Sequence, residues 1–182
     1  MKYQFEPDQN ISDVWHITPP VFEDDRGWFK EMFSSEYFDS KIGPFPLVSF
    51  SKTREPGSVR GLHFQEGADA QGKLVSCTAG SIFDLALDIR RGSKTFGKWT
   101  STVLSPKNHK MFWIPPGFAH GFQALEEDTE VLYFCSNNYR PESERVISVF
   151  DERLMIDWPL EITKISEKDK LGGSLSDLIE NW

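Results

Sequence analysis

The sequence predicts an all-β domain, a sandwich or barrel of short antiparallel strands. Apolar or alternating runs are broken by turn residues at roughly 8 to 12 residue intervals, the spacing of strands in such folds. The chain carries 15 Phe and 6 Trp among its 182 residues, and aromatic side chains favour extended strands and flat pocket walls. Helical apolar spacing is confined to the tail. Without long helices there are no strand–helix–strand crossovers, which excludes a doubly wound dinucleotide fold.

Taken in order, a short apolar run over 14–17 is stopped by Pro19 and Pro20, and 23–27 reads as a turn. A strand is expected over 28–33, a short helical turn over 34–38, an extended region over 44–50 and a loop over 54–57. The middle of the chain is clearer. Strands are expected over 59–65, 72–77, 81–89, 97–104, 110–114, 121–125, 130–135 and 146–150, separated by glycines such as Gly80 and Gly92 and by polar or proline-bearing turns. At the tail, Leu175, Leu178 and Ile179 recur at helical spacing behind a candidate cap, Ser174. No low-complexity linker or repeat divides the chain, so one domain over 1–182 is expected.

Composition narrows the function classes. Hydrophobic residues make up 38% and charged residues 26%, a balance suited to a globular chain. Twenty Lys and Arg against 28 Asp and Glu give a formal charge of -8, and no basic block is present to track a phosphate backbone, so nucleic acid is not an expected partner. A small phosphorylated ligand remains compatible, since a few local cations suffice to hold a phosphate. Cys77 and Cys135 are too few for a disulfide framework and sit in apolar runs, as buried thiols do. Residues 1–9 carry no cationic segment leading into an apolar stretch, and no window reaches the length of a membrane span. The expectation is a cytoplasmic protein with no membrane partner.

Several residues point to chemistry. His63 lies at the centre of Arg60-Gly61-Leu62-His63-Phe64-Gln65, where a polar imidazole must be hydrogen-bonded or reached from a pocket. On a strand it shares a face with Gln65; Lys73, Val75 and Cys77 share one on a following strand, so His63 and Lys73 can meet over one cavity. Histidine is the natural base near neutrality, and an ammonium stabilises a developing oxyanion. The bland alternative is a satisfied core histidine. Along 81–89, Phe83, Leu85, Leu87 and Ile89 form one apolar face, while Asp84 and Asp88, with Arg90 beyond, line either a wet cavity or the outer surface. Tyr133 alternates with Val131 and Cys135; facing a cavity, its phenol could protonate a carbanion, and otherwise it is packing. The charged stretch 166–170 is surface unless it folds back to set a carboxylate against the histidine.

The spacing Pro115-x-Gly117-x-x-His120 resembles the second cupin motif, a strand, tight turn and return strand that deliver a histidine into a barrel. The His-x-His of the first cupin motif is missing, because His63 is flanked two residues away by Gly61 and Gln65, and the remaining histidines are His16 and His109. No metal is therefore expected. The fold expectation becomes a cupin-like double-stranded β-helix, or jelly roll, with short peripheral helices.

Taken together, Asp25-Arg26-Gly27 with Glu31, Arg60 to Gln65, Gln71-Gly72-Lys73, Asp84, Asp88, Arg90, Gly117 to Phe122, Tyr133, Tyr139, Ile156-Asp157-Trp158-Pro159 and Ser166-Glu167-Lys168-Asp169 resemble, in order and spacing, the dTDP-4-dehydrorhamnose 3,5-epimerase family of deoxysugar biosynthesis. The resemblance implies that His63 is the base, oriented by Asp169, that Tyr133 is the acid on the opposite face of the sugar, and that Lys73 stabilises the enolate oxygen. It implies that Arg26, Glu31, Arg60, His120 and Lys168 bind the sugar nucleotide, and that the protein is a homodimer in which Arg26 and Glu31 act across the interface. It implies no metal, nicotinamide or other cofactor. The chain departs from the family at Leu47 to Phe50, where a Gln-x-Asn pair is usual, and at Asn138, where adjacent tyrosines are common. These departures leave open a different keto-sugar nucleotide or inversion at one centre alone; a sugar-binding cupin without catalysis is a separate alternative, against which the retained base and acid count.

Overall fold

The computed structural model describes residues 2–180. The chain runs through β1 (Gln4–Pro7), β2 (Trp15–Thr18), β3 (Val21–Asp24), β4 (Gly27–Lys30), α1 (Ser35–Phe38), β5 (Leu47–Thr53), β6 (Val59–Gln65), β7 (Lys73–Ala79), β8 (Ile82–Asp88), β9 (Trp99–Leu104), β10 (Met111–Ile114), β11 (Phe118–Ala124), β12 (Thr129–Cys135), β13 (Glu144–Val146), α2 (Glu167–Lys170) and α3 (Leu175–Glu180). Two antiparallel sheets result, one in the order β1-β2-β10-β7-β12-β5 and one in the order β13-β6-β11-β8-β9, with β3 and β4 forming a separate hairpin. This is the expected all-β, cupin-like architecture with short helices at its periphery. No helix among the described residues is long and apolar enough to cross a membrane.

Strand alternation explains where the core lies. Val75 and Cys77 of β7, Val131 of β12, Phe112 and Ile114 of β10, and Phe118 and Phe122 of β11 fill the space between the sheets. The opposite faces are not left to water. Leu74, Trp113 and Phe134 pack under Phe38 and Tyr3 from the N-terminal segment. Leu62, Phe64, Leu85 and Leu87 pack under Val149, Leu154 and Leu175 from the C-terminal segment. Each fully buried side chain of this size stabilises by about 1.5 to 3 kcal/mol, so three apolar layers hold two sheets.

Because both faces of β8 are covered, Asp84 and Asp88 are wholly buried, and the outer-surface alternative does not hold for them. Asp88 is a structural acceptor: Arg90 donates to both its oxygens at 3.0 and 2.7 Å, and Ser93 and Thr95 each donate at 2.6 Å. Asp84 meets His120 instead, with its Oδ1 2.7 Å from the imidazole Nε2.

Other departures have local causes. β1 was not expected because Gln4-Phe5-Glu6-Pro7 carries one apolar side chain and a proline; it pairs with β2 alone, at an edge where proline is tolerated. The turn expected over 23–27 is the tip of the β3–β4 hairpin, so Val21–Asp24 is a strand and the strand expected over 28–33 ends at Lys30. The tail helix forms, with Ser174 Oγ accepting from Asp177 N at 3.2 Å and Asp177 Oδ2 accepting from Ser174 N at 2.7 Å.

Candidate active site

The site lies between the two sheets. Two cavities, about 240 and 470 Å³, meet at Arg60 and His63. The smaller is lined from one sheet by Lys73, Tyr133 and Cys135 with Leu47, Ser49 and Ser51 of β5, and from the other by His63 and His120. Lys168 and Asp169 line the larger cavity, with Lys52 and Lys164.

One local irregularity sets this geometry. Strict alternation would send Arg60 and His63, three positions apart, to opposite faces. In the pairing with β11, Phe122 stands opposite Arg60 and His120 opposite His63, so β6 carries one extra residue over that step. The bulge turns both side chains toward the cavities. Gly61 permits it: its φ is +107°, and a Cβ there would lie 2.5 Å from the His120 carbonyl oxygen. Glycine is the residue this position can hold.

His63 and Asp169 form a dyad. Nε2 of His63 lies 2.7 Å from Asp169 Oδ1, while Oδ2 accepts the Gly61 N–H at 3.1 Å. Asp169 arrives from α2, where Ser166 caps the turn by accepting from Asp169 N at 3.1 Å. Burial works to raise Asp169, but hydrogen bonds from His63, Gly61 and Ser166 outweigh it and bring the carboxyl below its ordinary value. A charged carboxylate on Nε2 keeps the ring proton there and leaves Nδ1 as the basic nitrogen.

Beside it stands a second imidazole–carboxylate pair. His120 Nε2 lies 2.7 Å from Asp84 Oδ1, both side chains are buried, and Asp84 Oδ2 has no hydrogen-bond partner among the described residues. Burial pushes His120 down and Asp84 up, each toward its uncharged form, against the pull of their mutual contact. Across the cavity, burial lowers Lys73, with Cys135, Glu144 and Asp84 opposing. Burial also raises the Tyr133 phenol, opposed by a hydrogen bond to Ser51 at 2.9 Å.

Of the residues singled out from sequence, His63, Lys73, Tyr133, His120 and Arg60 share one cavity, and Asp169 and Lys168 join through the adjoining one. Lys168 pairs with Glu144, which also accepts from Tyr139 Oη at 2.8 Å. Arg26 and Glu31 line neither cavity in this chain. Arg26 is paired to Asp24 at the exposed hairpin tip, and Glu31 accepts from Tyr3 Oη at 2.9 Å. Ser51 was not singled out from sequence, and Asp84 was given no role in the site, only a place lining either a wet cavity or the outer surface. Asp84 had a signal, an acidic residue on an apolar strand; Ser51 had none. Among the described residues no group of three or more His, Cys, Asp or Glu side chains is placed to hold a metal ion.

The family model described as dTDP-4-dehydrorhamnose 3,5-epimerase matches residues 8–177 of this sequence. The chain belongs to that epimerase family. A dTDP-4-dehydrorhamnose 3,5-epimerase from Escherichia coli strain K12 is 46% identical over 172 residues, covering 93% of each chain. The crystal structure of an epimerase from Legionella pneumophila, in complex with dTDP-4-keto-L-rhamnose, superimposes with a TM-score of 0.90 at 40% identity, covering 96% of this chain and 93% of that one. A 3'-monoepimerase from Streptomyces bikiniensis, in complex with dTDP-quinovose, superimposes with a TM-score of 0.89 at 28% identity, covering 97% and 90%. The epimerase fold thus also carries a monoepimerase.

Proposed function

We propose that this chain epimerises C3 and C5 of dTDP-4-keto-6-deoxyglucose, giving dTDP-4-keto-L-rhamnose. The observation that carries the reading is a histidine on one sheet, paired to a carboxylate from α2, and a phenol and an ammonium on the other sheet, with the imidazole, phenol and ammonium lining one cavity. Family membership supports this reaction, and the ligand of the Legionella pneumophila enzyme is the product it would give.

The chemistry follows from the ketone. A carbonyl at C4 acidifies the hydrogens at C3 and C5. Nδ1 of His63 takes one of them, the C–H electron pair moves into the ring, and the C4 oxygen becomes an enolate. Lys73 stabilises that oxygen in a water-poor pocket, where a fixed charge counts for most. Tyr133 returns a proton from the opposite face, so the centre inverts, and the imidazolium and phenolate reset through solvent. No electrons are gained or lost overall, so the reaction calls for no redox cofactor. Asp169 stabilises the imidazolium, and Arg60, His120 and Lys168 bind the substrate, the two cations on its diphosphate.

Arg26 and Glu31 enter this reading through a second copy of the chain. The β3–β4 hairpin exposes Phe22, Trp28 and Phe29, and the edge strand β5 exposes Val48 and Phe50. A homodimer that covers these rings and carries Arg26 to the partner's cavity accounts for both. Free thiols at Cys77 and Cys135 support a reducing, cytoplasmic setting. Incubation with the keto-sugar nucleotide, followed by NMR of the product, tests the reading: the L-configured ketone should form with wild type and not with His63→Asn. Unchanged substrate with wild type would overturn it.

A further inference from the structure

β5 is the outermost strand of its sheet, and its inward side chains Leu47, Ser49 and Ser51 line the reaction cavity. In register, Tyr133 of β12 stands opposite Ser49, one inward position from Ser51. The Ser51 hydroxyl reaches the phenol oxygen at 2.9 Å, and either atom can donate. The choice matters for an acid. A hydroxyl has one hydrogen to give and two lone pairs. If the phenol donates to serine, its hydrogen points away from the ligand. If serine donates, the phenol keeps its hydrogen for the cavity.

We propose that Ser51 is a positioning residue for the epimerisation: its hydroxyl donates to Tyr133 Oη, aims the phenol's hydrogen at the sugar, and holds the phenolate once that hydrogen has left. The proposal rests on the epimerase reading above. In the step concerned, the phenol O–H bond breaks with its electron pair staying on oxygen, a C–H bond forms at the enolate carbon, and the C4 carbonyl is restored. The Ser51 O–H bond stays intact throughout. The phenolate then takes a proton from solvent as the imidazolium releases one. Ser51 is suited to this because burial disfavours the phenolate, and the serine hydrogen bond acts in the opposite direction. The same strand also holds one cation of the site: Arg60 donates to Thr53 Oγ1 at 3.0 Å and to the Lys52 carbonyl at 3.1 Å. β5 therefore sets the acid and the guanidinium in one register.

The test separates proton removal from proton return. Wild type, Ser51→Ala, Ser51→Thr, Tyr133→Phe and the Ser51→Ala/Tyr133→Phe pair are incubated with substrate in deuterated water. Label entry at C3 and C5 and formation of inverted product are followed separately. A hydrogen bond to a charged oxygen is worth roughly ten- to hundredfold, so Ser51→Ala should lower inversion by about that factor while label entry by return from His63 falls far less. KM should change little, Ser51→Thr should recover most of the inversion, and Ser51→Ala should cost nothing further in the Tyr133→Phe background. Equal loss of label entry and inversion, unchanged inversion, or a further loss in that background would overturn the proposal. Should Ser51→Ala not fold, Ser51→Cys retains size with a weaker donor; intermediate inversion supports the proposal and wild-type inversion overturns it. Wild type that neither labels nor inverts the substrate refutes the reaction itself, a result distinct from all of these.

Discussion

Asp169→Asn removes one charge from the base dyad while keeping its shape. Asp169 is buried, and both its oxygens are used, one by His63 at 2.7 Å and one by the Gly61 N–H at 3.1 Å. An amide retains one acceptor and loses the negative charge that, in the proposed mechanism, stabilises the imidazolium formed when His63 takes its proton. At an effective dielectric of ~20 and a charge separation of ~4 Å, that attraction is about 4 kcal/mol. A charge-assisted hydrogen bond contributes roughly 1.5 to 3 kcal/mol by mutational measure. His63 is about one quarter exposed, at 28% of its side-chain surface, so solvent screening favours the lower part of this span. A loss of 2 to 4 kcal/mol corresponds to about 30- to 1000-fold in rate. The expected outcome is a fall in kcat within that range, a KM within a few-fold of wild type, and a modest loss of stability because the Gly61 N–H faces the amide NH2, a donor, in place of an oxygen. Steady-state kinetics with urea unfolding on the same preparations measure both. A folded Asp169→Asn protein with kcat within threefold of wild type would refute the role of the carboxylate.

Lys73→Met should lower kcat by roughly 100- to 1000-fold, as loss of an oxyanion donor does, with nucleotide binding measured by calorimetry little changed. In the proposed mechanism the ammonium is the active form, and burial lowers its pKa, so wild-type kcat should decline with rising pH before the ordinary lysine range is reached; a profile flat through that range would refute it. Gly61→Ala should destabilise the fold by roughly 2 to 5 kcal/mol, adding backbone strain at positive φ to overpacking against the His120 carbonyl, as read by urea unfolding. Mixing His63→Asn with Arg26→Ala, each poorly active alone, should restore activity, because one site of the mixed dimer then holds an intact His63 and an intact Arg26. No recovery after verified subunit exchange would count against an Arg26 that acts across the interface.

Much of the fold could be read from the chain because β7, β8, β11 and β12 carry short apolar or alternating runs, and turn residues mark their ends. The pieces that escaped have weak local signals. β1 has little apolar content of its own and depends on β2, and the β3 strand hides in what looks like the start of a turn. The site was legible where a side chain was out of character with its surroundings, as with His63 between Leu62 and Phe64. The partnership of His120 with Asp84 was not, since it depends on β8 and β11 being neighbours. Nor was the simultaneous inward aim of Arg60 and His63, because a bulge breaks the alternation from which faces are assigned. Ser51 is invisible for a simpler reason: a serine in a strand acquires meaning from the phenol across from it.

Proton removal beside a ketone is the central event of the proposed reaction, and solvent exchange measures it directly. In deuterated water, with dTDP-4-keto-6-deoxyglucose as substrate, the wild-type protein should place deuterium at both C3 and C5 of the product. Absence of deuterium from both carbons, under conditions where the nucleotide sugar is bound, would contradict it.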